Sequence, residues 1–333
     1  MGILETWGWD QGWMEAFSAA APQGTFPARL IEEQRGLFHL VSQHGERPAR
    51  VPGAMRHQAR GRADLPAVGD WVAAEAAPGD HAVLIQAILP RRTKLSRKAA
   101  GTAMEEQVIA ANVDTVLVMT ALNADFNSAR LERFLTVCRD SGAQAVLVLN
   151  KLDACPRPAP FLDEARRIAG DANVVALSAK TGLGLEALSA WIKPGRTVGL
   201  VGSSGVGKST LVNRLSGNEQ LRTARTRASD EAGRHTTTHR QLFPLPGGGI
   251  LLDTPGMREM RFWEADQGLA ETFDDLTALA PSCRFKDCGH DSEPGCAVKA
   301  AVDSGVMDPR RLESWKKLRR ESKASRKPPK RRR

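Results

Sequence analysis

Residues 197–215 read TVGLVGSSGVGKSTLVNRL, and within them Gly202–Ser209 matches the phosphate-loop pattern G-x-x-x-x-G-K-[ST]. An apolar run typical of a strand precedes the loop, and the helix-like run Lys208–Leu215 follows it. In this context the glycine-rich backbone wraps phosphates, and the helix N-terminus adds a positive field. We expect Lys208 to bridge β- and γ-phosphates and Ser209 to ligate Mg²⁺. The residues expected at the nucleotide here are Gly202, Ser203, Ser204, Gly205, Val206, Gly207, Lys208, Ser209 and Thr210.

Strand-like and helix-like runs alternate on both sides of this loop. The strand-like runs are Val113–Thr120, Ala145–Leu149, Val174–Leu177, Thr197–Val201, Leu242–Leu245 and Gly249–Leu252. The helix-like runs besides Lys208–Leu215 are Arg130–Ser141 and Leu185–Ile192. This alternation predicts a parallel sheet covered by helices, that is, an α/β phosphate-loop domain.

Two short motifs upstream of the loop suit a guanine base. In Asn150-Lys-Leu-Asp153 the Asp153 carboxylate can accept hydrogen bonds from the ring N–H and the exocyclic amine of guanine, a donor pair that adenine lacks. We expect Asn150 to tie loops together, and a backbone N–H of the turn Ser178-Ala-Lys180 to meet the guanine carbonyl. Alone, NKLD is typical of a solvated turn, but the three motifs together favour GTP. The expected base-binding residues are Asn150, Lys151 (whose stem would cover one face of the base), Leu152, Asp153, Ser178, Ala179 and Lys180.

Two further segments are expected to sense the γ-phosphate. Asp253-Thr-Pro-Gly256 ends a strand, so Asp253 can hold Mg²⁺ through water and the N–H of Gly256 can meet the γ-phosphate. The stretch from Arg222 to Arg240 contains GRHTTTH and lacks apolar periodicity, which indicates a loop that nucleotide can order. The threonines that fit a Mg²⁺ ligand there are Thr236, Thr237 and Thr238, and we favour Thr237.

The residue that follows Gly256 bears on the rate of hydrolysis. Many GTPases carry a water-orienting glutamine there, whereas this chain has Met257. We therefore expect slow intrinsic hydrolysis unless another group orients the water. His235 is our candidate for that catalytic role, with His239 as a lesser one, because an imidazole can orient or deprotonate water near neutral pH.

A cluster of metal-ligand residues lies near the C-terminus. Cys283, Cys288, His290 and Cys296 supply three thiolates and one imidazole within fourteen residues. A complete Cys₃His set suits one tetrahedral, structural Zn²⁺ ion that fixes a segment too short to build its own core. In a chain without a recognisable secretion signal, such clustering favours a metal over disulfides.

The N-terminal third and the charge distribution suggest additional contacts. Short strand-like runs between residues 26 and 92, separated by glycine and proline turns, predict a small β-barrel of the OB-fold kind. The chain of 333 residues carries a formal net charge of +9, and thirteen basic against three acidic side chains lie between Asp308 and Arg333. This basic tail suits a polyanion such as nucleic acid, although it is also typical of a disordered solubilising tail.

The order of the motifs is that of a circularly permuted GTPase, with NKLD and Ser-Ala-Lys before the phosphate loop and DTPG after it. The chain resembles the RsgA family of ribosome small subunit-dependent GTPases over roughly residues 28–300, on these motifs, the barrel and the Cys/His module. The resemblance implies an OB-fold, a circularly permuted GTPase domain and a zinc domain. It also implies binding to a late-maturing small ribosomal subunit and its rRNA, with GTP hydrolysis to GDP and phosphate tied to release, and it supports His235 as the catalytic residue.

We accordingly expect a multidomain chain and a Mg²⁺-dependent GTPase that is activated by the small ribosomal subunit. The expected segments are an N-terminal arm 1–25, an OB-fold barrel 26–95, a circularly permuted GTPase domain 96–260, a zinc-binding domain 261–307 and a basic tail 308–333. No apolar run approaches the ~18 residues of a membrane span, so we expect no membrane contact. We also expect a cytoplasmic location and a monomer.

Three alternatives remain open at this point. The first is an RNA-binding assembly factor that uses GTP as a conformational ligand with little hydrolysis, which Met257 favours. The second is an ATP-dependent phosphate-loop enzyme, which Asp153 disfavours. The third is a signalling GTPase with a protein partner, which the basic tail and the barrel disfavour.

Overall fold

The computed structural model describes residues 2–34, 36–77, 81–98, 105–217, 240–253 and 266–325. The strands in these ranges are β1 Phe26–Gln34, β2 Leu37–Ser42, β3 Gly45–Arg50, β4 Trp71–Ala76, β5 Val83–Ile88, β6 Lys94–Lys98, β7 Glu106–Ala111, β8 Thr115–Ala121, β9 Gln144–Asn150, β10 Asn173–Ala176, β11 Thr197–Gly202, β12 Arg240–Pro244 and β13 Ile250–Asp253. The α-helices are α1 Ile3–Thr6, α2 Gln11–Ala20, α3 Gly53–Gln58, α4 Ser128–Asp140, α5 Ala159–Ala169, α6 Lys208–Leu215, α7 Asp266–Thr272, α8 Asp274–Leu279, α9 Ala297–Asp303 and α10 Pro309–Ser325.

Strands β1 to β5 close into a barrel. They pair in the order β1-β2-β3-β5-β4, and β4 returns to β1. The pairing of β3 with β5 is parallel, whereas the other neighbours are antiparallel. Alternate residues point inward, so Leu30, Leu40 and Ile85 are fully buried in the barrel interior. The predicted five-stranded N-terminal barrel is confirmed.

A second sheet carries the phosphate loop. Its order is β10-β9-β8-β11-β13-β12, in which all neighbours are parallel except β12, which runs antiparallel to β13. Strand β8 is buried along its whole length, as expected of a central strand with helices on both faces. One face packs against α4 and α5, and the other packs against α6. The predicted α/β phosphate-loop domain is confirmed.

The two sheets are joined edge to edge through β1 and β12. Glu32 pairs with Gln241 and Glu33 with Arg240, and the barrel strands thereby continue the phosphate-loop sheet. The Arg240 guanidinium also forms an ion pair with the Glu33 carboxylate at 2.9 Å. The barrel is therefore hydrogen-bonded to a strand of the nucleotide domain. The end of β12 that carries this ion pair directly follows the threonine-containing segment in sequence.

The two ends of the described chain pack onto the body of the protein. Helix α2 begins where the Asp10 carboxylate accepts a hydrogen bond from the N–H of Trp13 at 2.9 Å, and the Trp7 and Trp13 side chains are buried. At the other end, α10 buries Leu312 and Leu318. Residues 309–325 are therefore basic in composition but also carry buried leucines, and this part of the basic tail forms a helix that packs on the rest of the protein.

Several elements differ from the pattern expected of the sequence. Strands β6 and β7 form a separate antiparallel hairpin, and β6 spans the expected limit between residues 95 and 96. Helix α5 follows a proline-rich stretch that gave no helical expectation, and Leu185–Ala190 is a 3₁₀ helix where an ordinary helix was expected. Among the residues that the structure describes, none of the helices has the length and apolar character needed to cross a membrane.

Candidate nucleotide site and metal centre

The phosphate loop lies between the end of β11 and the start of α6, as the motif requires. Gly207 has φ +100° and lies so close to Asn150 that a Cβ at position 207 would be 2.1 Å from Asn150 Nδ2. The Lys208 ammonium donates to the carbonyls of Gly202 and Ser203 at 2.6 and 2.5 Å. These bonds hold the lysine along the inside of the loop, where phosphates are bound in phosphate-loop proteins.

Asn150 connects the phosphate loop to the Ser-Ala-Lys turn. Its amide nitrogen donates to the carbonyl of Val206 at 2.7 Å, and its amide oxygen accepts from the N–H of Ala179 at 2.9 Å. Asn150 is 3% exposed, so both bonds are shielded from water. A single side chain at the end of β9 therefore fixes the spacing between the phosphate loop and the turn expected at the base.

Asp153 is oriented by the same turn. The hydroxyl of Ser178 donates to Asp153 Oδ1 at 2.6 Å, and it accepts from the N–H of Thr181 at 3.1 Å. Lys151, two residues earlier, has φ +67°, and the 3₁₀ turn Leu152–Ala154 follows it. Asp153 is thus exposed at the edge of the site, with one oxygen of its carboxylate held by Ser178.

The two residues expected to ligate Mg²⁺ lie on neighbouring elements. Ser209 is in the first turn of α6, and Asp253 is the last residue of β13, which pairs in parallel with β11. A hydroxyl and a carboxylate at the same edge of a sheet fit the hard-oxygen ligation that Mg²⁺ prefers. The expected residues that lie outside the described ranges are His235, Thr236, Thr237, Thr238, His239, Gly256 and Met257.

Two arginines contact the site and were missed by sequence reasoning. Arg214, at the end of α6, donates through Nε to the carbonyl of Ala179 at 3.2 Å and also contacts the carbonyl of Lys180. Arg130, in the first turn of α4, donates to the hydroxyl of Ser203. Neither residue belongs to a motif, and both contacts join segments more than thirty residues apart, so no local signal identifies them.

The four C-terminal ligand candidates converge on one point. Cys283 Sγ lies 3.9 Å from Cys296 Sγ and 3.6 Å from His290 Nδ1, which in turn lies 3.4 Å from Cys296 Sγ. All four ligand atoms, including that of Cys288, lie within 4.8 Å of one another. Sulfurs at ~2.3 Å from a tetrahedral Zn²⁺ would be about 3.8 Å apart, so the donor set and its spacing fit zinc.

The surrounding contacts fix the loop that carries these ligands. The N–H groups of Gly289 and Asp291 both donate to the Glu293 carboxylate at 2.8 Å. Hydrogen bonds from the backbone N–H of Glu293 itself and from these two N–H groups lower the pKa of Glu293 to about 2. The His290 ring lies 5.2 Å from the ring of Trp315 on α10. Burial lowers the pKa of His290, which favours the neutral imidazole that binds metal.

The two remaining cysteines lie apart from this cluster. Cys138 is fully buried on α4, and burial raises the pKa of its thiol to about 12. A thiol in that state is unreactive. Cys155 is half-buried in the loop after the NKLD motif.

The comparisons with known proteins identify one family. The RsgA GTPase family model matches residues 88–263. The small ribosomal subunit biogenesis GTPase RsgA of Opitutus terrae is 49% identical, with 96% of this chain and 89% of that protein aligned. The protein of the same name from Streptomyces coelicolor is 41% identical, with 96% and 86% aligned.

Two solved structures share the fold over nearly the whole chain. The crystal structure of YjeQ from Thermotoga maritima is 26% identical, covers 90% of this chain and 98% of its own, and has a TM-score of 0.67. YloQ, described as a circularly permuted GTPase, is 24% identical, covers 92% and 98%, and has a TM-score of 0.63. The likeness in fold therefore spans both the barrel and the phosphate-loop domain of this chain.

Proposed function

The chain belongs to the RsgA family of small ribosomal subunit biogenesis GTPases, and from that premise we propose that it hydrolyses GTP to GDP and phosphate while bound to a maturing small ribosomal subunit. Binding through rRNA, activation by the subunit and release upon hydrolysis are parts of this proposal. The contacts of Asn150 and Asp153 at the nucleotide site and the exposed arginines of the barrel support it.

The observation that carries the proposal is the double role of Asn150. It bonds the phosphate loop on one side and the Ser-Ala-Lys turn on the other, so the phosphate and base subsites are held in a fixed relation. Asp153 stands beside that turn with a carboxylate oriented by Ser178. An adenine base lacks this pair of donors and would leave the carboxylate unpaired in the complex, which disfavours ATP relative to GTP.

Hydrolysis needs a positioned water and stabilisation of charge on the phosphates. Lys208 and the backbone of the phosphate loop would bind the phosphates, and Ser209 with Asp253 would hold Mg²⁺, which neutralises charge that develops on them. We propose Thr237 as a further ligand and His235 as the residue that orients water, since Met257 cannot. His235→Ala should lower the rate of hydrolysis while GTP affinity stays within twofold, and equal rates would contradict this role.

We propose that RNA binds the barrel around β3 and α3. Five exposed arginines lie between residues 47 and 62, against Glu46 and Asp64 as the nearby acids in sequence. These arginines are Arg47, Arg50, Arg56, Arg60 and Arg62. Exposed arginines in this density suit phosphate oxygens. Arg47 and Arg50 lie on β3, Arg56 lies on the short helix α3, and the other two follow that helix in sequence.

The salt dependence of RNA affinity tests this surface. Alanine at Arg47, Arg56 and Arg60 together should weaken binding to small-subunit rRNA and reduce the slope of log affinity against log salt by about 2–3, because each lost phosphate contact retains its counterion. Arg166→Ala, an exposed arginine on α5 at the far side of the sheet, is the matched control. An unchanged slope in the triple variant would contradict the proposed surface.

We propose the basic tail as a second RNA contact. Because part of the tail forms the packed helix α10, a truncation that tests this contact must leave α10 in place. Removing residues 308–333 would also remove the buried Leu312 and Leu318. The informative truncation therefore begins at Arg326, which deletes six basic residues and leaves the packed helix intact. We expect weaker RNA binding at low salt, and unchanged affinity and slope would exclude the tail from RNA binding.

Phosphate release is the primary test of the proposed function. We expect slow GTP turnover by the protein alone and strong stimulation by small ribosomal subunits, both abolished in Lys208→Ala. Large subunits at the same concentration control for non-specific RNA effects. GTP binding without any stimulation by small subunits would contradict activation by the ribosome.

A second candidate function is favoured by Met257. In that case the protein would be an RNA-binding assembly factor in which GTP acts as a conformational ligand and is barely hydrolysed. Its signature would be tight, GTP-dependent binding to small subunits that persists over many minutes without phosphate release. We further propose that the protein works as a monomer in the cytoplasm, which sedimentation and cell fractionation would test.

A further inference from the structure

The first turn of α4 brings an arginine to the phosphate loop. Asn127 caps the helix, since its side-chain oxygen accepts from the N–H of Arg130 at 2.9 Å. Helix α4 follows β8, and β8 pairs in parallel with β11 so that Met119 lies beside Gly202. The cap therefore fixes the backbone of Arg130 at the edge of the sheet from which the phosphate loop emerges.

The side chain of Arg130 is held on that loop. Its guanidinium donates to the hydroxyl of Ser203, whose backbone carbonyl accepts from the Lys208 ammonium at 2.5 Å. Two cationic side chains from different helices thus meet at one residue of the loop. Like charges brought together in this way are stabilised when an anion lies between or beside them.

Arg130 also differs from its neighbours in lacking an acidic partner. Arg133, one turn along α4, pairs with Glu321 at 2.5 Å, and Arg139 in the last turn pairs with Asp171. Among the residues that the structure describes, no carboxylate lies within ion-pair distance of Arg130. Within the described ranges, the side-chain hydrogen bond of this exposed arginine is to a hydroxyl of the phosphate loop, where an incoming phosphate can compete for the guanidinium.

Resting on the proposed GTPase function, we infer that Arg130 is a catalytic residue that donates to the γ-phosphate during hydrolysis. Water attacks the γ-phosphorus, the bond to the β–γ bridging oxygen breaks, and GDP leaves with that electron pair. The proton of the water passes to phosphate or solvent, and the guanidinium stays protonated throughout. Arg130 stabilises the charge on the transferring group, the role of an arginine supplied within the same chain.

Single-turnover hydrolysis of GTP, with and without small ribosomal subunits, tests this role. Arg130→Ala should slow hydrolysis about 100-fold, while the affinities for GTP and GDP stay within twofold. Arg130→Lys should restore part of the rate, because an ammonium supplies charge but not the planar pair of donors. Arg166→Ala, an exposed arginine on α5 whose partner is Asp163 on the same helix, should behave as the unaltered protein.

A transition-state analogue separates charge stabilisation from ordinary binding. The unaltered protein should bind GDP with aluminium fluoride more tightly than GDP alone, and Arg130→Ala should lose that difference. An unchanged rate in Arg130→Ala, or GTP and GDP affinities that fall as much as the rate, would overturn the inference alone. Absence of hydrolysis in the unaltered protein, even with small subunits, would overturn the proposed function and this inference with it.

Discussion

The buried ion pair between α4 and α10 gives a prediction whose size follows from the structure. Arg311 Nη1 lies 3.0 Å from Glu132 Oε1, with 8% and 4% of the two side chains exposed. Arg311 also donates to Asp275 at 2.5 and 2.8 Å and to the carbonyl of Thr272 at 2.8 Å. Arg311→Met keeps an apolar stem of similar length and removes every one of these bonds.

The free-energy cost of Arg311→Met depends on the carboxylates that lose their partner. Asp275 is partly exposed and can be solvated again, whereas Glu132 stays buried without its counter-charge. Breaking a buried pair on one side costs about 3–5 kcal/mol. If that energy holds α10 in place, amide hydrogen exchange along residues 309–325 should accelerate by about 150- to 5,000-fold in Arg311→Met, since 1.36 kcal/mol is a factor of ten.

The same variant should depend on pH in a defined direction. Burial already raises the pKa of Glu132, and loss of the guanidinium raises that pKa further. A carboxyl whose pKa is higher in the folded state stabilises the fold below its ordinary pKa of 4.5, and that stability is lost as pH rises through the folded value. The deficit of Arg311→Met relative to the unaltered protein should therefore be smaller at pH 5 than at pH 8.

Removing both charges provides the control. Glu132→Leu combined with Arg311→Met replaces the pair by apolar side chains and should recover most of the lost protection, because no buried charge remains. Hydrogen exchange followed by mass spectrometry measures all three proteins at each pH. Exchange in Arg311→Met within twofold of the unaltered protein, or a double variant no better than the single one, would refute the reasoning.

The remaining predictions concern the nucleotide site and the metal centre. Asp153→Asn should lower GDP affinity about 100-fold or more and gain affinity for xanthosine diphosphate, whose base offers an acceptor where guanine has an amine; equal GDP affinity by calorimetry would contradict base recognition by this carboxylate. Gly207→Ala should reduce nucleotide binding more than tenfold, because its Cβ would overlap Asn150 at 2.1 Å, and binding at the original affinity would contradict that geometry. Cys296→Ser should lower bound zinc from one ion per chain toward none and speed hydrogen exchange in α9, and retention of a full equivalent by mass spectrometry would argue against this ligand set.

The sequence was most informative where structure is local. The phosphate loop, its flanking β11 and α6, and the barrel follow from short patterns of glycine, apolar runs and alternation. The observed limits of β11 and α6 differ from the expected ones by one residue at most. The Cys₃His set was equally readable, because a zinc loop carries all its ligands within a short segment. Roles of individual site residues remain predictions.

Contacts between segments that are distant in the chain could not be predicted from the sequence. A run of lysine and arginine indicates a solvated tail, and nothing in it marks Arg311 as the residue that enters the core while Arg310 stays outside. The contact of Arg130 with Ser203 spans 73 residues and depends on the parallel pairing of β8 with β11. Trp13 likewise becomes a core residue because β4 places Trp71 beside it, with the two ring centroids 6.1 Å apart.

In the permuted order of the motifs, the segments expected to sense the γ-phosphate come directly before β12 and directly before α7 in sequence. Residues 218–239 lead into β12, which is hydrogen-bonded to the barrel strand β1 and bound to it by the ion pair between Arg240 and Glu33. Residues 254–265 lead into α7, where a Cβ on Gly268 would lie 2.1 Å from the carbonyl of Thr136 on α4. Helix α7 can lie this close only because position 268 is glycine. A shift of β12 would therefore act on the barrel. A shift of α7 would act on α4, the helix that carries Arg130 at its start and is bonded to α10 through Glu132 and Arg133.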